Sequence, residues 1–83
     1  MTLQRRYLPD MKTLVTFECA ARHGNFTRAA EELSLTQSAV SRQVRDLEEQ
    51  VGKPLFERVR GRVVITPAGD AFLKEVHQLL RQA

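Results

Sequence analysis

The sequence has too few cysteines and histidines for the frameworks that hold together many small secreted or metal-bound domains. Its 83 residues include one cysteine and two histidines. Cys19 alone cannot form an internal disulfide, and with His23 and His77 it supplies no three- or four-ligand zinc spacing, so we expect no metal and no cofactor. Neither histidine has a sequence partner that suggests a nucleophilic triad, so we expect no enzyme.

Long apolar runs and a secretory signal are also absent. The longest apolar runs, at residues 63–65 and 71–73, are far short of the roughly 18 residues that cross a bilayer. No apolar segment with a cleavage site follows the basic residues of the N-terminus. These absences predict a cytoplasmic protein without a membrane partner.

Size and composition indicate one small globular domain. The chain has 42% hydrophobic and 28% charged residues, near globular averages, and its length allows a single core. The net charge is +3 and the sequence pI is about 9.6, which is a weak sign of polyanion binding. The positions of the charges are therefore more informative than their sum.

Apolar spacing, caps and breakers predict four helices and one hairpin. The predicted helices are 11–23, capped by Asp10 and ended by Gly24; 28–33, capped by Thr27; 37–51, capped by Thr36 or Ser38 and ended by Gly52; and 67–83, capped by Thr66. Residues 55–58 and 63–66 are β-prone, with Gly61 at the tip between them. Leu35 is expected to be a buried anchor in the turn before the third helix.

The third helix separates an apolar seam from a polar flank. At about 100° per residue the seam positions fall within roughly 60° of one another; they are Val40, Val44, Leu47 and Val51. Ser38, Arg42 and Arg45 point roughly 140–200° away from the seam. The small pair Ala29-Ala30 allows the second and third helices to cross closely. The sequence thus predicts a mostly α winged helix-turn-helix, a three-helix bundle plus a β-hairpin wing, followed by a long C-terminal linker helix.

The polar flank suits the major groove of DNA, because arginine and glutamine donors match the acceptor patterns of guanine and adenine edges. Acids in the second half of the helix would repel phosphates, so only residues 37–45 are expected to enter the groove. Three arginines within residues 58–62 suit phosphate contact or a narrow minor groove. The candidate DNA-binding residues are Thr27, Gln37, Ser38, Ser41, Arg42, Arg45, Arg58, Arg60 and Arg62.

The apolar stripe of the last helix could cover the first helix instead of a partner. The helix carries more apolar surface than one small core should need, however, which favours a two-fold dimer on a palindromic operator. The candidate dimerisation residues are Phe72, Val76, Leu79, Leu80 and Ala83. The alternative is a protein-interaction module in which the last helix is the functional surface and the basic face only aids solubility. An RNA-binding winged helix is less favoured, since the sequence offers no exposed aromatic platform.

Three blocks of the sequence resemble the N-terminal DNA-binding domain of LysR-type transcriptional regulators. They are FTRAAEEL at 26–33, TQSAVSRQVRDLE at 36–48, and PLFER with TPAG within 54–69. The similarity covers residues 10–83, and residues 20–23 with the Leu-Pro leader resemble the branch that includes the glycine-cleavage activator.

The resemblance implies that Gln37, Ser38, Ser41 and Arg42 meet bases and phosphates, that the wing touches the flanking minor groove, and that the last helix dimerises the protein. Many relatives have proline where this sequence has Ser38. The implied organisation is an N-terminal arm at 1–9, a DNA-binding domain at 10–66 and a linker helix at 67–83, in a nucleoid-associated bacterial regulator. Family members continue into an effector domain, through which alone we expect a small-molecule response.

Overall fold

A computed structural model describes the backbone of residues 10–82 and the side chains of residues 10–81. The elements over this range are α1 (Met11–His23), α2 (Phe26–Leu33), α3 (Gln37–Val51), β1 (Phe56–Val59), β2 (Arg62–Ile65) and α4 (Pro67–Gln82). The order confirms the predicted winged helix-turn-helix followed by a long helix. The predicted arm at 1–9 and Ala83 lie outside the described residues.

Side-chain caps begin the helices, and residues in the left-handed backbone conformation end α1, α2 and α3. The Asp10 carboxylate accepts the backbone N–H of Thr13 at 2.8 Å, and this bond lowers the pKa of Asp10. Gly24 ends α1 at a φ of 63°. Thr36, one of two predicted caps, accepts the N–H of Ala39 at 3.1 Å and begins α3.

The prediction that Thr27 caps α2 is wrong. The Asn25 side chain accepts the N–H of Arg28 at 2.9 Å, so the helix begins two residues earlier than the sequence suggested. Asn25 has the extended backbone that a cap requires. Thr27 therefore lies in the first turn of α2, where it is exposed.

The core has two apolar clusters that share the Phe56 ring at their boundary. The first lies among α1, α2, α3 and β2, where fully buried Ala29 lets α2 and α3 approach closely. The second lies among α1, α3 and α4 around Phe17, whose ring centroid is 5.4 Å from that of Phe56 and 5.3 Å from that of Phe72. Packing on both sides thus fixes α3 between the other elements.

Two residues predicted to be in the core are half-exposed. Leu35 is 39% exposed because the turn that carries it borders an open surface groove, which Met11, Val15 and Leu33 also line. Val51 is 36% exposed, because it is in the last turn of α3, beyond the part that the other elements cover. The predicted seam is correct for its first three residues, Val40, Val44 and Leu47, which are buried.

The wing is a tighter hairpin than predicted. Its strands are antiparallel and pair up to Val59 opposite Arg62, which leaves only Arg60 and Gly61 in the turn. Both turn residues have positive φ, 51° and 79°, as the two-residue turns that match strand twist require. The Val63 N–H donates to the carbonyl of Gly24 at 3.3 Å, which joins the wing to the α1–α2 turn.

Helix α4 is anchored at its start and packs along α1. The Thr66 hydroxyl donates to the Pro54 carbonyl at 2.7 Å and accepts the Gly69 N–H at 2.9 Å, as the predicted cap should. A Cβ on Gly69 would lie 2.2 Å from the Leu55 carbonyl oxygen, so only glycine permits this close approach. No helix among the described residues is long and apolar enough to cross a membrane.

The apolar stripe of α4 is divided between the core and the surface, which corrects the predicted partner-facing stripe. Val76 is 0% exposed and lies in the second core cluster, so it is not available to a partner. Phe72 and Leu80 are partly buried against the same cluster. Leu79 alone among these described residues is largely open, at 49% exposure. The surplus of apolar residues arises because α4 covers α1.

Candidate nucleic-acid interface

The polar residues of α3 form a continuous exposed surface, which we call the α3 flank. Gln37, Ser38, Arg42 and Arg45 are exposed, and Ser41 is half-buried at the edge. Together with Thr36 they line a shallow concavity. The opposite side of the same helix is fixed in the core by Val40, Val44 and Leu47. The donors of the α3 flank are therefore held on a rigid helix and open to solvent.

The acids of α3 lie in its second half, but they are not equivalent. Asp46 and Glu49 are exposed. The Glu48 carboxylate instead accepts the backbone N–H groups of Leu55 and Phe56, at 2.8 and 3.2 Å. Glu48 thus connects α3 to the start of the wing, a role that the sequence reasoning missed because the contact joins residues seven and eight positions apart.

The three wing arginines occupy different environments. Arg60 in the turn and Arg62 on β2 are exposed. The side chains of Arg58 and Phe56 lie on the same face of β1, because successive side chains alternate between the two faces of a strand. Its Nη2 donates to the Ser41 hydroxyl at 3.4 Å, and its guanidinium lies 5.2 Å from the centre of the Phe26 ring. Arg58 therefore joins the wing to the α3 flank.

A second polar cluster lies away from the α3 flank, where α1 meets α2. Cys19, His23 and Glu32 each present one potential ligand atom, and these atoms lie within 4.8 Å of one another. Cysteine and histidine spacing alone does not indicate this cluster, because its third potential ligand, Glu32, comes from α2 and joins only in the folded chain. Arg22 donates to both Glu32 oxygens at 3.0 Å. These hydrogen bonds, followed by that of His23, lower the pKa of Glu32 to about 2.

A solvent-open polar helix flank, the short helix that supports it and an arginine-bearing wing define a winged helix-turn-helix DNA-binding domain. Residues 11–70 match the bacterial regulatory helix-turn-helix proteins of the lysR family. The chain belongs to this family, as the resemblance implied, and is a DNA-binding domain of a transcriptional regulator rather than an enzyme.

Curated relatives are transcriptional regulators. A RuBisCO operon transcriptional regulator from Allochromatium vinosum is 56% identical over 76 residues, which cover 88% of this chain and 25% of that protein. The glycine cleavage system transcriptional activator of Escherichia coli K12 belongs to the branch that the sequence resembles. It is 41% identical over 75 residues, which cover 90% of this chain and 25% of that protein. The chain thus spans about a quarter of the length of these relatives.

Solved structures of similar fold include a complex with DNA. The crystal structure of the CbnR DNA-binding domain with DNA matches with a TM-score of 0.84 and 33% sequence identity. The match covers 88% of this chain and 84% of that chain. The similarity therefore extends over nearly the whole of a domain that has been solved on DNA.

Proposed function

We propose that this chain binds duplex DNA sequence-specifically by placing the first half of α3 in the major groove. The observation that carries the proposal is the α3 flank, exposed along one side of a helix whose other side is buried. A helix held in this way presents its donors to base edges without unfolding any part of the core. The acids Asp46 and Glu49 favour a groove contact that ends near residue 45.

The α3 flank and the wing have different roles in this proposal. Arg42 and Arg45 bind base edges with forked donors, and Gln37 meets bases at the helix start. Ser38, Ser41 and Thr27 position phosphates through their hydroxyls. Arg60 and Arg62 bind phosphates or the flanking minor groove, where the negative potential is strongest. Arg58 serves the same surface by holding the wing beside Ser41.

We infer that the DNA-bound species is a two-fold homodimer on a palindromic operator, with 10–66 as the DNA-binding unit and α4 as the dimerisation helix. The support is the exposed Leu79, with the open parts of Phe72 and Leu80 beside it. Val76 is not part of the proposed interface, because it is buried in the core of its own chain. The predicted role of Ala83 stays a prediction, because this residue lies outside the described residues.

The role proposed for the whole protein is regulation of transcription, because its relatives are transcriptional regulators. We propose that this protein does so in the bacterial cytoplasm, associated with the nucleoid. A small-molecule effector would act through an effector domain outside these 83 residues, and the α3 flank would deliver the response to promoter DNA.

The test is selection of bound sequences from a random duplex pool, followed by affinity measurement on the selected and a scrambled duplex at two salt concentrations. We expect an interrupted palindrome and a tighter complex with the selected duplex. If about five or six cations meet phosphates, affinity should fall with salt at a log–log slope near −5. Equal affinity for both duplexes, or binding that salt does not change, would contradict the proposal.

A further inference from the structure

The junction of α1 and α2 holds a group of side chains that the DNA-binding role leaves unused. Cys19 and His23 are four residues apart on α1, which places both on one helix face. Glu32 reaches them from α2, and its Oε1 lies 2.8 Å from the His23 Nε2 atom. We call these three residues the Cys-His-Glu cluster.

We infer that the Cys-His-Glu cluster is a binding site for Zn²⁺, with a water molecule as the fourth ligand. A thiolate, an imidazole and a carboxylate are the three ligand types that zinc takes in proteins. At tetrahedral zinc these donor atoms stand roughly 3 to 4 Å apart. The three atoms already lie within 4.8 Å of one another. The ion would replace the 2.8 Å contact between His23 Nε2 and Glu32 Oε1, with the imidazole proton on Nδ1.

The charges around the cluster also match a divalent cation. The Glu32 carboxylate, which accepts both Nη groups of Arg22, supplies one negative charge. Glu18, which binds Arg22 through Nε at 3.1 Å, adds a second negative charge. Once Cys19 is a thiolate, three negative charges face one guanidinium, and Zn²⁺ neutralises the remainder. Arg22 can stay on Glu18 and on one oxygen of Glu32 while the other oxygen binds the metal.

Cys19 is a buried thiol with a weak hydrogen-bond partner, so little is lost when its sulfur binds a metal ion instead. Its Sγ is 3.9 Å from the Ala29 carbonyl oxygen. Zinc binds cysteine as the thiolate, so the thiol gives up its proton on binding. Binding therefore forms an S–Zn bond as the S–H bond breaks, and the proton leaves to solvent. The ion enters from the exposed side, past His23 and Glu32.

Zinc at this position would connect the end of α1 to the helix that supports α3. A ligand that binds only the folded state at a hundred times its Kd shifts the folding equilibrium about a hundredfold. The cluster shares no residue with the α3 flank or the wing. The inference thus goes beyond the DNA-binding proposal, and either can fail without the other.

The test is a Co²⁺ titration of the untagged chain followed by displacement with Zn²⁺, read by absorption. We expect the visible bands of tetrahedral cobalt, with a thiolate-to-metal band that Cys19→Ser abolishes. Glu32→Gln should weaken zinc at least tenfold in a chelator competition, because even groups behind the ligands cost ten- to a hundredfold. Glu31→Gln and His77→Asn, which lie outside the cluster, are matched controls and should bind as the parent does.

Circular dichroism shows whether each variant is folded. Cys19→Ser can lower the stability of the fold, because Cys19 is buried. Glu32→Gln changes an exposed side chain and so tests zinc binding in a folded protein. The inference is overturned if no thiolate band forms on the parent chain. It is equally overturned if Glu32→Gln binds zinc as tightly as Glu31→Gln, or if His77→Asn removes the binding.

Discussion

Among the residues, arginines of equal charge acquire different roles from their positions. Arg42 is exposed on a helix whose opposite side is buried, so its forked donors have a fixed direction. Arg60 lies at the tip of a two-residue turn and is exposed there, with no hydrogen bond or ion pair to another side chain of residues 10–81. Arg58 already contacts Ser41 and the Phe26 ring. The proposed interface thus divides base reading, phosphate attraction and placement of the wing among three identical side chains.

Arg42→Ala and Arg60→Ala should weaken DNA binding in different ways. Loss of the Arg42 forked donor should cost about 1–3 kcal/mol and relax the preference at one base pair. Loss of Arg60 should weaken selected and scrambled duplexes alike and flatten the salt slope by about one. Titrations on both duplexes over a range of salt measure both effects. Identical behaviour of the two variants would contradict the division of roles.

Glu48→Ala should destabilise the fold although Glu48 is only half-buried. It removes the acceptor of the Leu55 and Phe56 N–H groups, and hydrogen bonds to a charged group contribute about 1.5–3 kcal/mol. Glu49→Ala, an exposed acid on the same helix, is the matched control and should stay within about 0.5 kcal/mol. Urea unfolding measures the free energy of unfolding of both variants. Equal values would show that the Glu48 contact contributes little.

Among the elements, α4 shows how one helix serves the core and a proposed interface together. Its inner side is fixed by Val76 and by the Thr66 cap, and glycine at position 69 lets it pass close to the Leu55 carbonyl. Its outer side leaves Leu79 open. Substitutions on the two sides should therefore change different properties.

Leu79→Lys and Val76→Ala should separate dimerisation from folding. A lysine at Leu79 should shift the molecule toward monomer in sedimentation equilibrium, with unchanged unfolding of the monomer, because the position is exposed. Val76→Ala should instead cost about 1–3 kcal/mol of folding free energy, since it opens a cavity in the second core cluster. A Leu79→Lys chain that keeps the parent mass in solution would exclude α4 as the dimer contact.

The α1–α2 junction should lose stability in acid through Glu32. Its pKa is lowered from 4.5 to about 2, so its contribution is complete above about pH 4.5 and decreases as the pH falls toward 2. In Glu32→Gln this contribution is already absent, and the free energy of unfolding should change less between those pH values. Glu31→Gln is the control. Parallel pH profiles for the parent and Glu32→Gln chains would contradict the assignment.

At the scale of the whole molecule, sequence signals with a local cause predicted the structure well. The bounds of α1 and α3 follow from caps and glycine stops, and the hairpin from its glycine tip. Solvent exposure at the ends of elements was less predictable. Val51 satisfies the helical pattern and Leu35 is an apolar residue in a turn, yet the other elements of residues 10–82 leave both half-exposed. Periodicity defines a face of a helix but not how far the partner extends along it.

The contacts of the candidate site were the least predictable part. The α3 flank follows from spacing within one helix, but Glu48 and Arg58 act on residues of another element. The Val76 prediction was wrong because the stripe could face either α1 or a partner, and only the packed structure shows that Val76 faces the core beside α1. Glu32 joins Cys19 and His23 only after α2 has folded against α1.

The central claim, that the first half of α3 reads DNA, is tested most directly by nuclear magnetic resonance. Amide signals of the isotope-labelled chain would be followed while a duplex selected from the random pool is added. The account predicts that the largest changes fall on residues 36–45 and 58–62, with small changes along 46–51. Largest changes on α4, or at the Met11, Val15 and Leu35 surface, would contradict it.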